Sequence, residues 1–167
     1  DELVAVQLTP GNLDILIATK KGVAIRFNEA DVRAMGRTAT GVRAIKLEQG
    51  DGVVGMQTTG EGTTLLTIKE DGYGKRTAIE EYRQIHRGGK GIINIKTEGK
   101  DDNVIGILMV KDDDEIMLMS QKGIIIRTTV KDVSIIGRNT LGVRLMRTKE
   151  GDKVMTVAKV IKSDTGQ

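Results

Sequence analysis

The chain has 167 residues, 29% charged and 38% hydrophobic, with a formal net charge of +3. That balance describes a folded soluble chain rather than a disordered one, and the absence of cysteine excludes disulfides and thiolate metal sites. No apolar run reaches the length of a membrane span and no N-terminal signal is present, so no membrane partner is expected and a cytoplasmic location is.

In chain order, Leu3–Gln7 reads as a strand, matching by offset the later run Val53–Gln57. A first unit, about residues 8–57, holds four short runs rich in β-branched residues: Leu13–Ala18, Val23–Phe27, Val42–Leu47 and Val53–Gln57. A second unit, about 58–110, holds Thr64–Ile68, Lys75–Ile79, Ile92–Lys96 and Val104–Val110. A third, about 111–161, holds Ile116–Ser120, Ile124–Thr128, Val143–Arg147 and Val154–Ile161. Short runs of this composition between Gly- and Asp-rich turns are strand signals. Lys20–Gly22, Glu70–Gly72 and Gln121–Gly123 are the hairpin turns, each with a glycine where φ must be positive. Glu29–Val32, Ile79–Tyr82 and Val130–Val133 read as single helical turns, and no segment keeps a helical apolar period over three turns. The fold expected is all-β. With aromatics at only 2%, its core must be built from Ile, Val, Leu, Met and Ala.

The units share landmarks at intervals of 50 and 51 residues. Gly36-Arg-Thr-Ala-Thr-Gly-Val42 returns as His86-Arg-Gly-Gly-Lys-Gly-Ile92 and as Gly137-Arg-Asn-Thr-Leu-Gly-Val143. Gly22, Gly72 and Gly123 form one column, and Arg26, Arg76 and Arg127 another. Arg37, Arg87 and Arg138 form a third, with Lys46, Lys96 and Arg147 a fourth. Such self-similarity marks a repeat architecture of stacked modules, here four-stranded blades. The columns are mostly glycine and cationic, which predicts a surface with a regularly spaced positive feature. A closed ring needs about four to eight blades. Three are therefore expected either to be part of a larger domain or to have their end units covered by another element, with residues 1–7 the last strand of a preceding unit and blade edges open to self-association.

Charge is segregated within each unit. The windows Val32–Leu47, Tyr82–Thr97 and Val133–Lys149 contain no Asp or Glu, although the chain has 23 acids and the windows cover about three-tenths of it. Their cations are Arg33, Arg37, Arg43 and Lys46, then Arg83, Arg87, Lys90 and Lys96, then Arg138, Arg144, Arg147 and Lys149. The acids gather at Glu48–Asp51, Glu70–Asp71, Glu80–Glu81, Asp101–Asp102 and Asp112–Glu115. An isolated cluster of this kind is usually solvated loop charge; a threefold acid-free recurrence is the footprint of a polyanion binder.

In Gly22-Val-Ala-Ile-Arg-Phe27, Gly36-Arg-Thr-Ala-Thr-Gly-Val-Arg43, Gly72-Tyr-Gly-Lys-Arg-Thr77 and Gly137-Arg-Asn-Thr-Leu-Gly-Val143, the chain resembles the C-terminal domain of the bacterial DNA gyrase A protein. The likeness runs over essentially its whole length, and the sister domain of topoisomerase IV is similar but less close. The resemblance implies a β-pinwheel, propeller-like, whose neighbouring blades exchange a strand. It also implies a non-catalytic role, since the family keeps its cleavage tyrosine in another domain. Duplex DNA would wrap around the basic rim, supporting ATP-dependent negative supercoiling at the nucleoid together with the rest of gyrase A and with gyrase B.

The family's box, Gln-Arg-Arg-Gly-Gly-Lys-Gly, has its nearest match in Ile85-His-Arg-Gly-Gly-Lys-Gly91, where the last five positions are kept and Ile85 and His86 replace the first two. The family's box lies in its first blade, whereas this copy lies in the middle of the chain. It is therefore a degenerate, box-like loop of an internal blade. Arg87 and Lys90 carry over as DNA contacts, and the full wrapping role of the box does not.

Lysine and arginine neutralise phosphates and release counterions, giving salt-dependent affinity with little sequence preference. Arg33, Arg37, Arg43, Lys46, Arg83, Arg87, Lys90, Lys96, Arg138, Arg144 and Arg147 are the predicted contacts. Thr38, Thr40, Asn139 and Thr140 offer neutral donors, and Arg43 and Arg144 are expected to point to the same side. Scarce aromatics argue against a single-strand stacking platform and favour duplex held by its backbone.

Other chemistries are weak. Gly88-Gly-Lys-Gly91 lacks the spacing and the Ser or Thr of a nucleotide phosphate loop. His86 is the sole histidine, so no triad or metal cluster forms around it. Asp112–Glu115 lacks calcium-loop spacing and reads as a solvated hairpin tip, Tyr73 and Tyr82 are set aside as strand-cleaving tyrosines because the resembled family keeps that residue in another domain, and no cofactor is expected. The remaining alternative is a propeller that docks an acidic protein on its basic rim.

Overall fold

The computed structural model describes residues 2–99 and 102–162. Asp101, one of the acidic-turn residues, lies outside the described residues. In chain order the strands are β1 (Asp14–Thr19), β2 (Val23–Asn28), β3 (Val53–Thr58), β4 (Thr64–Lys69), β5 (Tyr73–Ala78), β6 (Ile92–Ile93), β7 (Val104–Val110), β8 (Glu115–Ser120), β9 (Ile125–Thr129), β10 (Val143–Arg144) and β11 (Val154–Lys159). Single 3-10 turns occupy Glu29–Asp31, Thr59–Glu61, Ile79–Glu81 and Val130–Asp132. Three of these fall where the sequence places helical turns.

The strands form three antiparallel sheets. Their orders are β3-β1-β2-β6, β10-β5-β4-β7 and β11-β8-β9. In each, a tight hairpin joins two neighbouring strands, the central pair in the two four-stranded sheets, closed by Gly22 N–H to Thr19 O, Gly72 N–H to Lys69 O, or Gly123 N–H to Ser120 O. The last strand of the unit then pairs on the far side of the first, with an irregularity at matching places: Ala18/Thr19, Ile68/Lys69 and Val154/Thr156.

The fourth strand is exchanged. β6 belongs to the second repeat yet pairs with β2 of the first, and β10 of the third pairs with β5 of the second. These strands are shorter than the runs Ile92–Lys96 and Val143–Arg147 suggest. After two residues the ladder ends because one carbonyl takes two consecutive donors. Gly22 O accepts from Asn94 N–H (2.8 Å) and Ile95 N–H (3.2 Å), and Gly72 O from Leu145 N–H (2.9 Å) and Met146 N–H (3.2 Å). Val42–Leu47, whose pattern predicts the equivalent strand of the first repeat, pairs with no strand among the described residues, although its Ile45 is buried with Ile17, Ile25 and Phe27. Leu3–Gln7 likewise forms no strand; it is exposed or half-buried chain tied to the first sheet by Gln7 Nε2 donating to Met56 O.

Two of the three core clusters lie between neighbouring sheets, and the third packs Ile17, Ile25 and Phe27 of the first sheet against Ile45 of the first loop. β4, in the middle sheet, is buried at all six positions. Its alternate side chains face opposite neighbours, as strand geometry requires. Leu65 packs with Leu16, Ala18 and Ala24 of the first sheet, and Leu66 and Ile68 with Ile116, Leu118 and Val154 of the third. Burying a side chain of this size stabilises by roughly 1.5–3 kcal/mol, so sheet-to-sheet packing is the main source of stability. β8 shows the contrast: Ile116 and Leu118 are buried while Met117 and Met119 are exposed.

One cationic column does not form part of the surface feature expected of it. Arg26, on β2, sends Nη1 to Ile79 O (3.0 Å) and Tyr82 O (3.1 Å) of the second repeat's 3-10 turn, and Nε to Asp14 (2.8 Å). Arg76, on β5, donates from Nε to Val133 O and from Nη1 to Asp112. Both guanidiniums turn towards the next repeat, whose turn presents backbone carbonyls to them. They clasp blade to blade, whereas Arg127, the third member, pairs among the described residues with Glu115 of its own sheet. The run Asp112–Glu115 is accordingly more than a solvated tip: Asp112 holds Arg76, Asp114 holds Lys159, and Glu115 holds Arg127.

Candidate nucleic-acid interface

After each 3-10 turn of the three repeats the chain leaves the sheet, runs through the glycine-bearing loop, and returns as the exchanged segment. These loops are tied side by side. Lys46 N–H donates to Gly89 O (2.8 Å) and Gly88 N–H to Ala44 O (2.6 Å), joining the first loop to the second. Lys96 N–H donates to Thr140 O (2.8 Å), joining the second to the third at the equivalent place. Arg87 Nη1 donates to Arg43 O (3.2 Å), and Arg138 Nη1 to Ile93 O (2.8 Å). The three acid-free windows therefore form one connected strip of backbone.

The loops close against the sheets at Gly91 and Gly142. Gly142 has φ of 87°, and a Cβ there would stand 2.7 Å from the Gly74 carbonyl oxygen. Glycine is needed both for the conformation and for the approach.

Along this strip Arg33, Arg37, Arg43 and Lys46 are exposed, as are Arg83, Lys90, Lys96, Arg144 and Arg147. Arg87 and Arg138 are half-buried. None of these predicted cations forms an ion pair with a carboxylate among the described residues. The Arg and Lys side chains that do are Arg26, Lys69, Arg76, Arg127 and Lys159. Unpaired cations held in a row give a strong local positive potential and lose little on meeting an anion.

The set divides by role. Arg87 reaches Asp31 O with Nε as well as Arg43 O, so its guanidinium pins two loops together. Arg138 does the same towards Ile93, and its Nε is buried without an acceptor among the described residues. Arg144 stacks on Tyr73, 5.3 Å from the ring centroid, and its Nη2 donates to the phenol oxygen at 3.1 Å. Tyr73, which the sequence raises only as a candidate for strand cleavage, instead orients an arginine.

Two further residues near the strip take roles that the sequence does not assign to them. Lys75, wholly buried on β5, donates to the third loop from beneath. Its signal is a broken column, because Ile25 and Ile126 stand at the equivalent positions. Tyr82, also buried, donates to Asn94 Oδ1 at 2.5 Å, and burial pushes its phenol well above the usual range, so it stays neutral. A cleft of about 700 Å³ between the second and third units is bordered by Glu70, Asp71, Glu150 and Asp152. Even with Lys149 and Lys153 also on its lining, its net charge is negative, the wrong sign for a polyanion. No helix among the described residues is long and apolar enough to cross a membrane.

Comparison with known proteins agrees with this architecture. The DNA gyrase A protein of Haloquadratum walsbyi is 48% identical over 159 residues, which is 94% of this chain and 19% of that protein. The Clostridium acetobutylicum gyrase A protein is 48% identical over 167 residues, 100% of this chain and 20% of that one. The Escherichia coli K12 gyrase A protein is 42% identical over 160 residues, 96% and 18% respectively. The chain thus spans about a fifth of the length of these relatives. Among solved structures, a DNA gyrase A C-terminal domain superposes with a TM-score of 0.83 at 32% identity, covering 90% of this chain and 51% of that one. A DNA topoisomerase IV C-terminal domain gives 0.87 at 26% identity, covering 94% and 49%. The family model described as DNA gyrase C-terminal domain, beta-propeller, matches residues 13–59, 64–111 and 114–161. With three successive matches taking in nearly the whole chain, one on each sheet, the chain belongs to the family of DNA gyrase C-terminal domains.

Proposed function

We propose that the strip of loops binds duplex DNA through its phosphates and bends it. On this reading the chain is a non-catalytic module of a cytoplasmic, nucleoid-bound gyrase A protein, acting with the rest of gyrase A and with gyrase B in ATP-dependent negative supercoiling. The observation that carries the reading is the row of exposed cations, free of carboxylate partners among the described residues, on loops chained by backbone hydrogen bonds. Arg33, Arg37, Arg43, Lys46, Arg83, Lys90, Lys96, Arg144 and Arg147 meet phosphates directly. Arg87 and Arg138 do so while also holding the loops together. Bending a short duplex costs a few kcal/mol, so several phosphate contacts per blade must act together.

The test is charge reversal at Arg37, Arg43 and Arg83, which are exposed and without carboxylate partners among the described residues. In the full-length protein, duplex affinity and bending at low salt should both fall. If they hold while an acidic protein partner is lost, the surface is a protein-docking rim instead.

A further inference from the structure

The motif Gly72-Tyr-Gly-Lys-Arg-Thr77 places one charge where its neighbours have none. On the central hairpins, Lys75 pairs in register with Thr67, as Ile25 does with Ile17 and Ile126 with Leu118. Ile25 lies under the second loop: a Cβ at Gly89 would sit 3.8 Å from its Cδ1 and 3.4 Å from Ile85 Cδ1, so that loop rests on hydrocarbon. Under the third loop lies the Lys75 ammonium. It is 0% exposed, and Nζ donates to Gly137 O (2.6 Å), Arg138 O (2.6 Å) and Thr140 Oγ1 (3.0 Å). Thr140 Oγ1 in turn donates to Gly137 O at 2.8 Å. Three N–H donors meet three acceptors. A neutral amine has one donor fewer and could keep all three contacts only by accepting the Thr140 hydroxyl proton, which would break the Thr140 bond to Gly137 O, so the arrangement as it stands belongs to the charged form.

No carboxylate touches the ammonium among the described residues. Burial pushes Lys75 down to about 8; Glu81, on the turn after β5, opposes this, while Arg138 on the loop and Lys69 on β4 reinforce it. The charge is therefore held at a cost, directly behind the loop that carries Arg138, Asn139 and Thr140.

We propose that Lys75 is a positioning residue for the third loop of the DNA-binding strip: its buried ammonium draws the loop's carbonyls inward, adds a hidden positive charge behind Arg138, and couples duplex binding to proton uptake. The inference rests on the DNA-binding reading. A phosphate arriving at the loop stabilises the ammonium beneath it, so the bound form holds the proton to higher pH than the free form. By linkage, affinity falls as pH rises through the window in which free Lys75 titrates.

The experiment is calorimetric titration of the full-length protein with a short duplex at pH 8, in phosphate and in Tris, whose ionisation enthalpies differ. Net proton uptake is expected, together with an affinity that drops several-fold between pH 7 and 9. Lys75→Met should bind several-fold more weakly at pH 7, with no uptake from this site and a flatter profile. Lys75→Arg, which keeps a charge that does not titrate, should also show less uptake and serves if the methionine variant does not fold. Duplex binding without uptake, or uptake unchanged in a folded variant, overturns this inference alone. Absence of duplex binding by the unmodified protein at low salt overturns the reading beneath it.

Discussion

Arg76 on β5 donates from Nε to the carbonyl oxygen of Val133, 2.9 Å away in the next repeat, with its side chain only 4% exposed. This bond and the exchanged strand β10 hold the second and third blades together from two places. Replacing Arg76 by alanine leaves the Val133 carbonyl without this donor and strips Asp112 of its partner. Losing a charged donor to a buried carbonyl costs about 1.5–3 kcal/mol, and the exposed Asp112 carboxylate adds little because water can solvate it. Arg127→Ala, at the equivalent position but with a side chain 61% exposed, should cost under about 1 kcal/mol. Urea denaturation of the two variants provides the comparison.

Gly142→Ala combines a positive φ with a Cβ 2.7 Å from the Gly74 oxygen. Strain of this kind costs on the order of 1–3 kcal/mol, and the loop must move away from β5 to relieve it. The expected result is a lower melting temperature together with weaker duplex affinity. Gly36→Ala is the control: it has open space at its Cβ and no positive φ, and it should leave both unchanged.

Lys75 also makes stability depend on pH. Its folded-state value of about 8 lies below the ordinary 10.5. Between those limits the unfolded chain holds the proton and the folded chain does not. This site therefore penalises folding most below pH 8, and the penalty is relieved as pH rises towards 10.5. Unfolding free energies measured across that window should rise more, or fall less, in the unmodified protein than in Lys75→Met. Parallel curves would contradict the assignment.

The all-β repeat is legible in the sequence because each strand is a β-branched run bounded by a glycine or acidic turn, and these are local signals. Val42–Leu47 misleads for a related reason. Its alternation reports that Ile45 is buried, but alternation does not reveal whether a neighbouring strand supplies a ladder. Ile92–Lys96 is cut short by a distant carbonyl, that of Gly22, which no local pattern announces. The column Arg26, Arg76 and Arg127 has the same spacing as the cations of the loops. Spacing does not distinguish an arginine facing water from one clasping carbonyls across a blade boundary. Lys75 does carry a signal, as a charge in a column otherwise filled by isoleucine.

The most direct measurement is the salt dependence of duplex affinity for the full-length protein and for a variant with Lys90, Lys96 and Arg147 changed to glutamine. All three are exposed, and none forms an ion pair with a carboxylate among the described residues, so the fold should be retained. The account predicts a steep linear fall of log affinity with log salt, shallower in the variant by roughly one for each lost phosphate contact. An identical slope in the two proteins, with the variant folded, would contradict it.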